Sequence, residues 1–300
     1  DINFVTQPGV EDYKRETKAV LAATPKGEIV QTPADWKAAG YKGKVNVYYS
    51  TFLASGIATE DQLKAEVARL GQDMSNGAAV YAAMINLAAA NQTASTFQAA
   101  EIASYGRMTA AFRQALEDFR FNAFTQGFKI PAKIGEAPDK LHSYQQMVQQ
   151  GPNDALSLYF MPEISEQPPG GVTYDINNLR APAIGSTLAL MKAGRKVIFT
   201  TFNSSIEDSE GIANEFFAEV QGFLKTNIGG INLDPKLFNL QIKRNGKGVA
   251  LPVYEQSIEN IQIDGFVPII INITPMDIAP LLGSAAGEDV QERQKLSLNI

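Results

Sequence analysis

Lys196-Val197-Ile198-Phe199-Thr200-Thr201-Phe202, followed by Ser204-Ser205-Ile206-Glu207, is the stretch on which the reading of the fold turns. Its first seven residues are β-branched or aromatic almost without a break, which predicts a buried strand. The next four form a capping box, in which the Ser204 hydroxyl and the Glu207 side chain satisfy the first free amides of a helix reciprocally. Glu207, Asp208 and Glu210 place negative charge at the positive end of that helix. Ile206, Ala213, Phe216, Phe217, Val220 and Leu224 recur at helical spacing, Lys225 falls in the last turn and Gly229-Gly230 stop the element.

Further strands lie on either side. On the C-terminal side Phe238-Asn239-Leu240-Gln241-Ile242-Lys243 alternates, Asn245-Gly246 is a hairpin signal, and residues 249–254 supply a return strand. Residues 258–263 and 266–273 flank Asp264-Gly265, either a hairpin turn or a bulge in one long strand. On the N-terminal side Leu156-Ser157-Leu158-Tyr159-Phe160-Met161 is a strand stopped by Pro162. Residues 166–171 form a Pro/Gly loop, and Val172-Thr173-Tyr174-Asp175-Ile176 reads as another strand. Residues 152–283 therefore read as strands with one helix.

Residues 1–54 are mixed and polar and close on a strand, Val45-Asn46-Val47-Tyr48-Tyr49, approached through Gly40 and Gly43. Residues 55–150 read as helical almost throughout, with irregular chain marked by Gly127, Pro131, Gly135 and Pro138 and a short Gln-rich helix at 141–150. Thr59-Glu60-Asp61-Gln62 is a second capping box, after which Leu63, Val67 and Leu70 share a face. Alanine dominates from residue 78 to 115; it favours helix but buries little area, so these helices must pack closely. They form either a small helical subdomain or a face that docks on a neighbouring chain. Met108, Phe112, Leu116 and Phe119 make the clearest apolar stripe.

Composition narrows the chemistry. The chain has 300 residues, 45% hydrophobic and 19% charged, which excludes a disordered chain, a coiled coil and a collagen. It has no cysteine and a single histidine, His142, which removes thiol nucleophiles, zinc ribbons and His-rich metal sites. A net charge of −6 argues against a dedicated nucleic-acid binder and against an anionic membrane surface. The longest apolar run, Phe266-Val267-Pro268-Ile269-Ile270-Ile271, falls far below the ~20 residues of a membrane span. The chain begins at Asp1, and no signal peptide is visible.

No motif marks an active site. His142 sits beside a Gly/Pro-rich stretch with no base-like pattern and reads as a surface or packing residue. Phosphate loops, dinucleotide fingerprints and a nucleophile elbow are all missing. The acidic run Glu207-Asp208-Ser209-Glu210 could hold a cation but is explained by the helix dipole. Lys243-Arg244-Asn245-Gly246-Lys247 is a basic turn, read as a solvated hairpin tip before a partner or nucleic-acid contact. Asn91, Asn203 and Asn272 open glycosylation-type triplets at chance frequency, and Trp36, Tyr48 and Tyr49 read as packing residues. Catalytic, cofactor-binding and metal residues are therefore expected to be none, and the chain to be no enzyme.

The order of elements resembles the tail-tube family of contractile-tailed bacteriophages, and within it the tube initiators at the baseplate. Lys44-Val45-Asn46-Val47-Tyr48-Tyr49 is similar to that family's first strand, which precedes a variable helical insertion. Leu158-Tyr159-Phe160-Met161-Pro162-Glu163 resembles its Leu-Tyr-Met-Pro strand, with Phe160 inserted. Arg195-Lys196-Val197-Ile198-Phe199-Thr200-Thr201-Phe202-Asn203, then Glu207-Asp208-Ser209, resembles its central strand and helix, without the usual proline between them. Leu251-Pro252, residues 258–263, Asp264-Gly265 and residues 268–273 are similar to its closing strands.

The resemblance implies an α+β fold: an antiparallel β-sandwich or barrel of tail-tube type, with one packed helix and a large Ala-rich insertion. Its parts would be an extension at 1–43, a β domain at 44–54 plus 152–283, the insertion at 55–151 and a tail at 284–300. It implies a structural virion subunit that closes into a homo-oligomeric six-fold ring, in the tail tube or its initiator, and lines a DNA channel. Sister copies would cover the sheet edges, and sheath or baseplate proteins would be further partners. DNA would pass without sticking, no membrane would be involved, and the protein would reside in the virion after assembly in host cytoplasm. A capsid or minor shell protein, and a non-enzymatic β-sandwich recognition module, remain as alternatives.

Overall fold

The computed structural model describes residues 8–90, 97–106, 108–137, 143–162, 176–202, 206–224, 241–244, 247–248, 270–271 and 296–299. The chain forms two compact units, Asp1–Ile228 and Gly229–Ile300.

In the first unit, α1 (Pro8–Ala23) leads to β1 (Ala39–Tyr41), β2 (Val45–Tyr48) and the short α2 (Tyr49–Leu53). Then follow α3 (Glu60–Arg69), α4 (Gly77–Ala90), β3 (Ala99–Ser104), α5 (Ala110–Phe119) and a π-helix (Arg120–Phe128). The unit continues with β4 (Ala132–Glu136), α6 (Ser143–Gln150), β5 (Ala155–Pro162), α7 (Asn177–Lys192), β6 (Lys196–Phe202) and α8 (Ile206–Phe223). The sheet order is β1-β2-β6-β5-β3-β4. β6, β5, β3 and β4 run parallel, while β2 pairs antiparallel with β6 and β1 with β2.

Every residue of β6 is buried, as its unbroken apolar run requires of a central parallel strand. Helices cover both faces. Ile198, Phe202, Leu158 and Phe160 join one core with Leu63 and Val67 of α3, α4, Phe112, Leu116 and Phe119 of α5, and Phe216 and Phe217 of α8. Phe119 stacks on Phe217 with ring centres 4.6 Å apart. Val197, Phe199, Tyr159 and Met161 face a second core with Val10 and Tyr13 of α1, Val148 of α6 and Ile184 and Leu190 of α7.

The capping box at Thr59 forms: its hydroxyl accepts from the Gln62 amide at 3.2 Å while Gln62 Oε1 accepts from the Thr59 amide at 2.8 Å. The box expected at Ser204 lies outside the described residues. Helix α4 is apolar all round and buried on nearly every side, the signature of a core helix. Ala78, Ala79, Ala82, Ala83, Ala88 and Ala89 are buried by this chain itself, so α4 does not supply the docking face held as the alternative. Small residues let it press on the sheet: a Cβ on Gly77 would stand 2.9 Å from the Gly40 carbonyl oxygen. Glu219 of α8 closes the corner, accepting from the Tyr41 hydroxyl and the Asn76 amide, each at 2.9 Å.

The wound sheet corrects the expected fold. The chain is α+β in the broad sense of a mixed α/β fold, and the antiparallel β-sandwich of tail-tube type is replaced by a mixed sheet between two helical layers. The two β stretches do share one sheet, through β2 and β6. Three helical crossovers account for the difference, between β3 and β4, β4 and β5, and β5 and β6. Residues 177–192, assigned no helix from sequence, form α7, and a sixteen-residue helix between β5 and β6 carries the chain back to a parallel start. Pro182 and Gly185 inside the helix hid it, since both argue locally against helix. Residues 55–150, expected to be helical almost throughout, also contain β3, and the stretch expected to be irregular between Gly127 and Pro138 contains β4.

The second unit contains β7 (Gln241–Arg244), β8 (Lys247–Gly248), β9 (Ile270–Ile271) and β10 (Leu296–Asn299), antiparallel in the order β8-β7-β10-β9. Lys243 pairs with Gly248 and Arg244 with Lys247. Asn245 and Gly246 themselves lie outside the described residues, as do residues 172–175, 238–240, 249–254 and 258–269 of the expected strands. Leu296–Asn299, expected within a C-terminal tail, pairs with both β7 and β9.

Candidate functional site

From β3 the chain crosses through α5 and the π-helix to β4 on one side. It then passes back through α6 to β5 on the other side, and through α7 to β6. The first crossover packs in one core and the next two in the other. The strand order therefore reverses between β3 and β5. In open parallel sheets a reversal of this kind parts the loops at the carboxyl ends of the strands and leaves a crevice there.

At that end Glu136, Ser104, Phe160 and Thr200 occupy one row across β4, β3, β5 and β6. The turn after β3 brings Met108 N–H to Glu136 Oε1 at 3.0 Å, and Arg113 Nη2 to Glu136 Oε2 at 2.6 Å. Thr109 caps α5 by accepting from the Phe112 amide at 3.1 Å. Glu136 thus holds the place beside the helix start that a bound anion would take. The Ser104 and Thr200 hydroxyls are buried without a protein partner. The carboxylate of Glu136 is the acceptor at this end, so it suits a molecule with N–H or O–H donors better than a phosphate.

The opposite face of the same strand pair carries a buried polar seam. Glu101 of β3 is 2% exposed and accepts from Ser157 Oγ at 2.9 Å and from the Tyr159 hydroxyl at 3.3 Å, both on β5. The Tyr159 hydroxyl also lies 3.2 Å from Gln145 Oε1 of α6. Burial, and then the charge of Glu101, push the Tyr159 hydroxyl far above the usual tyrosine range. Burial does the same to Tyr105, whose ring meets Tyr159 edge-on at 5.3 Å. Both rings therefore keep their protons at any ordinary pH.

Helix α6 turns three glutamines inward: Gln145, Gln146 and Gln149 are all buried. Gln146 Oε1 accepts from the Gly9 amide at 2.7 Å and so caps α1 from another element. A side chain at Gly9 would collide there, since its Cβ would stand 2.7 Å from Gln149 Oε1. Gln145 Nε2, near Tyr159, and both amide atoms of Gln149, near Gly9, have no protein partner, which leaves donors and acceptors along α6 for water or ligand.

The features singled out from sequence lie elsewhere. His142, Asn91, Asn203 and Asn272 are outside the described residues. Glu207, Asp208 and Glu210 fall in the first turn of α8, and Lys243, Arg244 and Lys247 fall in β7 and β8. Trp36 packs edge-on against Phe199 at 5.4 Å and Tyr48 at 6.0 Å, the packing role expected of it. Among the described residues no three His, Cys, Asp or Glu side chains cluster as a metal site, and no helix is long and apolar enough to cross a membrane. No functional role is read in the sequence for Glu101, Ser157, Tyr159, Glu136 or Arg113, and Ser157 and Tyr159 figure there only as strand residues. Glu101 had one signal: it is the single charge within Ala99-Ala100-Glu101-Ile102-Ala103-Ser104.

No protein-family model matches this sequence, and no curated protein does. Among solved structures, a hypothetical protein from Thermus thermophilus aligns at 15% identity with a TM-score of 0.39. The alignment covers 56% of this chain and 45% of that one, so the chain spans less than half of that protein's length.

Proposed function

We propose that this chain is a non-enzymatic recognition module. It holds a small polar ligand, rich in N–H or O–H donors, at the carboxyl ends of β3 and β5. The observation that carries this reading is the reversal of strand order at that strand pair, which is also where the polar side chains converge. The ring-forming virion subunit expected from sequence drew on a β-sandwich, and the wound sheet favours the recognition module instead.

The chemistry follows from the groups in place. Glu136 spends part of its acceptor capacity on Met108 and Arg113, and the remaining lone pairs can take donors from a ligand. Arg113 fixes the carboxylate in position. Glu101, Ser157 and Tyr159 tie β3 to β5 behind the rim, so the crevice is preorganised.

Titration calorimetry of the full chain against ethanolamine, a polyol and inorganic phosphate tests the reading. A donor-rich probe is expected to bind, with Glu136→Ala weakening it at least tenfold, the cost of about one charge-assisted hydrogen bond. Binding of phosphate alone, or of no probe, contradicts it.

A further inference from the structure

We propose that the groove between the π-helix and the start of β4 is a second binding site, one for a small organic carboxylate with an apolar body. Arg120 and Lys129 would meet the carboxylate, and Ile130, Pro131 and Ala132 would line the body. The site lies at the beginning of β4, whereas Glu136 of the switch-point crevice ends that strand, so the two are separate.

The groove is an open surface hollow of about 520 Å³, lined by Arg120, Thr125, Lys129, Ile130, Pro131 and Ala132. That volume is within the range of small-molecule sites, roughly 300–1,000 Å³. Two backbone features coincide there. The first is the π-helix itself, nine residues long, in a class that occurs mostly as single turns and often at functional sites. The second is Lys129, which ends it in the left-handed region at φ 58°, ψ 37°. Glycine or asparagine ordinarily takes such a helix end, because a longer side chain is strained there. Lysine in this place puts an ammonium group on the groove wall at a conformational cost.

The wall is held from behind. Phe124 is buried and meets Phe97, Phe119 and Phe128 with ring centres 6.2, 5.5 and 6.1 Å away. The Ile130 amide donates to the Phe124 carbonyl at 3.1 Å, which locks the turn into β4. Arg120 donates through Nε to Glu117 Oε2 at 2.7 Å and reaches Thr125 Oγ1 through Nη1 at 3.5 Å. A guanidinium carries five N–H groups, so it can serve Glu117 and Thr125 and still hold a carboxylate on its far edge. Glu117 offsets part of the positive charge, which favours a monoanion over a phosphate dianion. The three apolar residues beside the cations select a ligand with a hydrocarbon end.

Octanoate is the probe, with acetate and 1-octanol as controls for charge alone and body alone, titrated into the full chain by calorimetry. Octanoate is expected to bind at least tenfold more tightly than either control. Arg120→Gln and Lys129→Gly are each expected to weaken it at least tenfold. Lys129→Gly relaxes the left-handed backbone, so its melting temperature should hold or rise by about 2 °C while binding is lost. Failure of octanoate to bind, equal binding of 1-octanol, or unchanged affinity in Lys129→Gly would each overturn the proposal. If Lys129→Gly melts lower, Arg120→Gln decides in the same way.

Discussion

Gly185 of α7 lies so close to Thr17 of α1 that a Cβ built on it would stand 2.6 Å from the Thr17 nitrogen and 2.8 Å from its Cα. The obstacle is backbone, which cannot swing aside as a side-chain tip would. The absent side chain therefore sets how closely the two helices cross over the sheet. Lys192, at the end of α7, clasps the same partner through an ion pair to Glu16 at 2.6 Å.

Gly185→Ala is accordingly expected to destabilise the chain by about 1–3 kcal/mol, the usual cost of overpacking a core. Gly211→Ala is the control. Gly211 lies exposed in α8 with nothing within 4 Å of a would-be Cβ, so alanine there should stabilise by up to about 1 kcal/mol through helix propensity. Urea denaturation of the two variants should give shifts of opposite sign, and shifts of the same sign would refute the close crossing.

Removing a donor from the buried seam should cost more than deleting an ordinary surface hydrogen bond. Tyr159→Phe and Ser157→Ala each remove one of the two hydroxyl donors to Glu101 Oε2, at about 1–3 kcal/mol apiece. The double variant should cost something other than the sum, because both donors serve the same Oε2 atom. Additive values in a double-mutant cycle would show that the two hydroxyls act separately.

Lys196, which opens β6, gives the stability a signature in pH. It is 2% exposed, and burial, with Arg195 beside it, brings its amine down to about 8. Between there and the unfolded value of about 10.4 the unfolded chain binds more protons, so stability should rise with pH across that window, by up to about 3 kcal/mol. Above about pH 10 the trend reverses, since burial holds Tyr81, Tyr105 and Tyr159 protonated in the fold while unfolded tyrosines ionise. Denaturation midpoints from pH 7.5 to 11 should climb and then fall. Lys196→Met should flatten the climb and keep the fall; an unaltered climb would assign it to another group.

Those residues also show how far the sequence could be read. The span of β6, the hydrophobic face of α8, the Thr59 capping box and the stripe from Met108 to Phe119 were all legible, because local periodicity and caps determine them. Parallel pairing was not, because it depends on α7, where Pro182 and Gly185 are tolerated for reasons that only the tertiary fold supplies. Gly185 answers to the backbone of α1, far away in sequence. The seam was hidden for a related reason: Glu101 and Ser157 become partners only once β3 and β5 are neighbours, and no spacing in the chain encodes that.

The most direct test of the central claim is a ¹⁵N-correlated NMR titration of the full chain with a donor-rich probe such as ethanolamine. Shifts confined to Ser104, Met108, Thr109, Arg113 and Glu136, and abolished by Glu136→Ala, are the predicted result. Shifts that leave those five amides untouched while others move, or that survive Glu136→Ala, would contradict a binding crevice where β3 and β5 part.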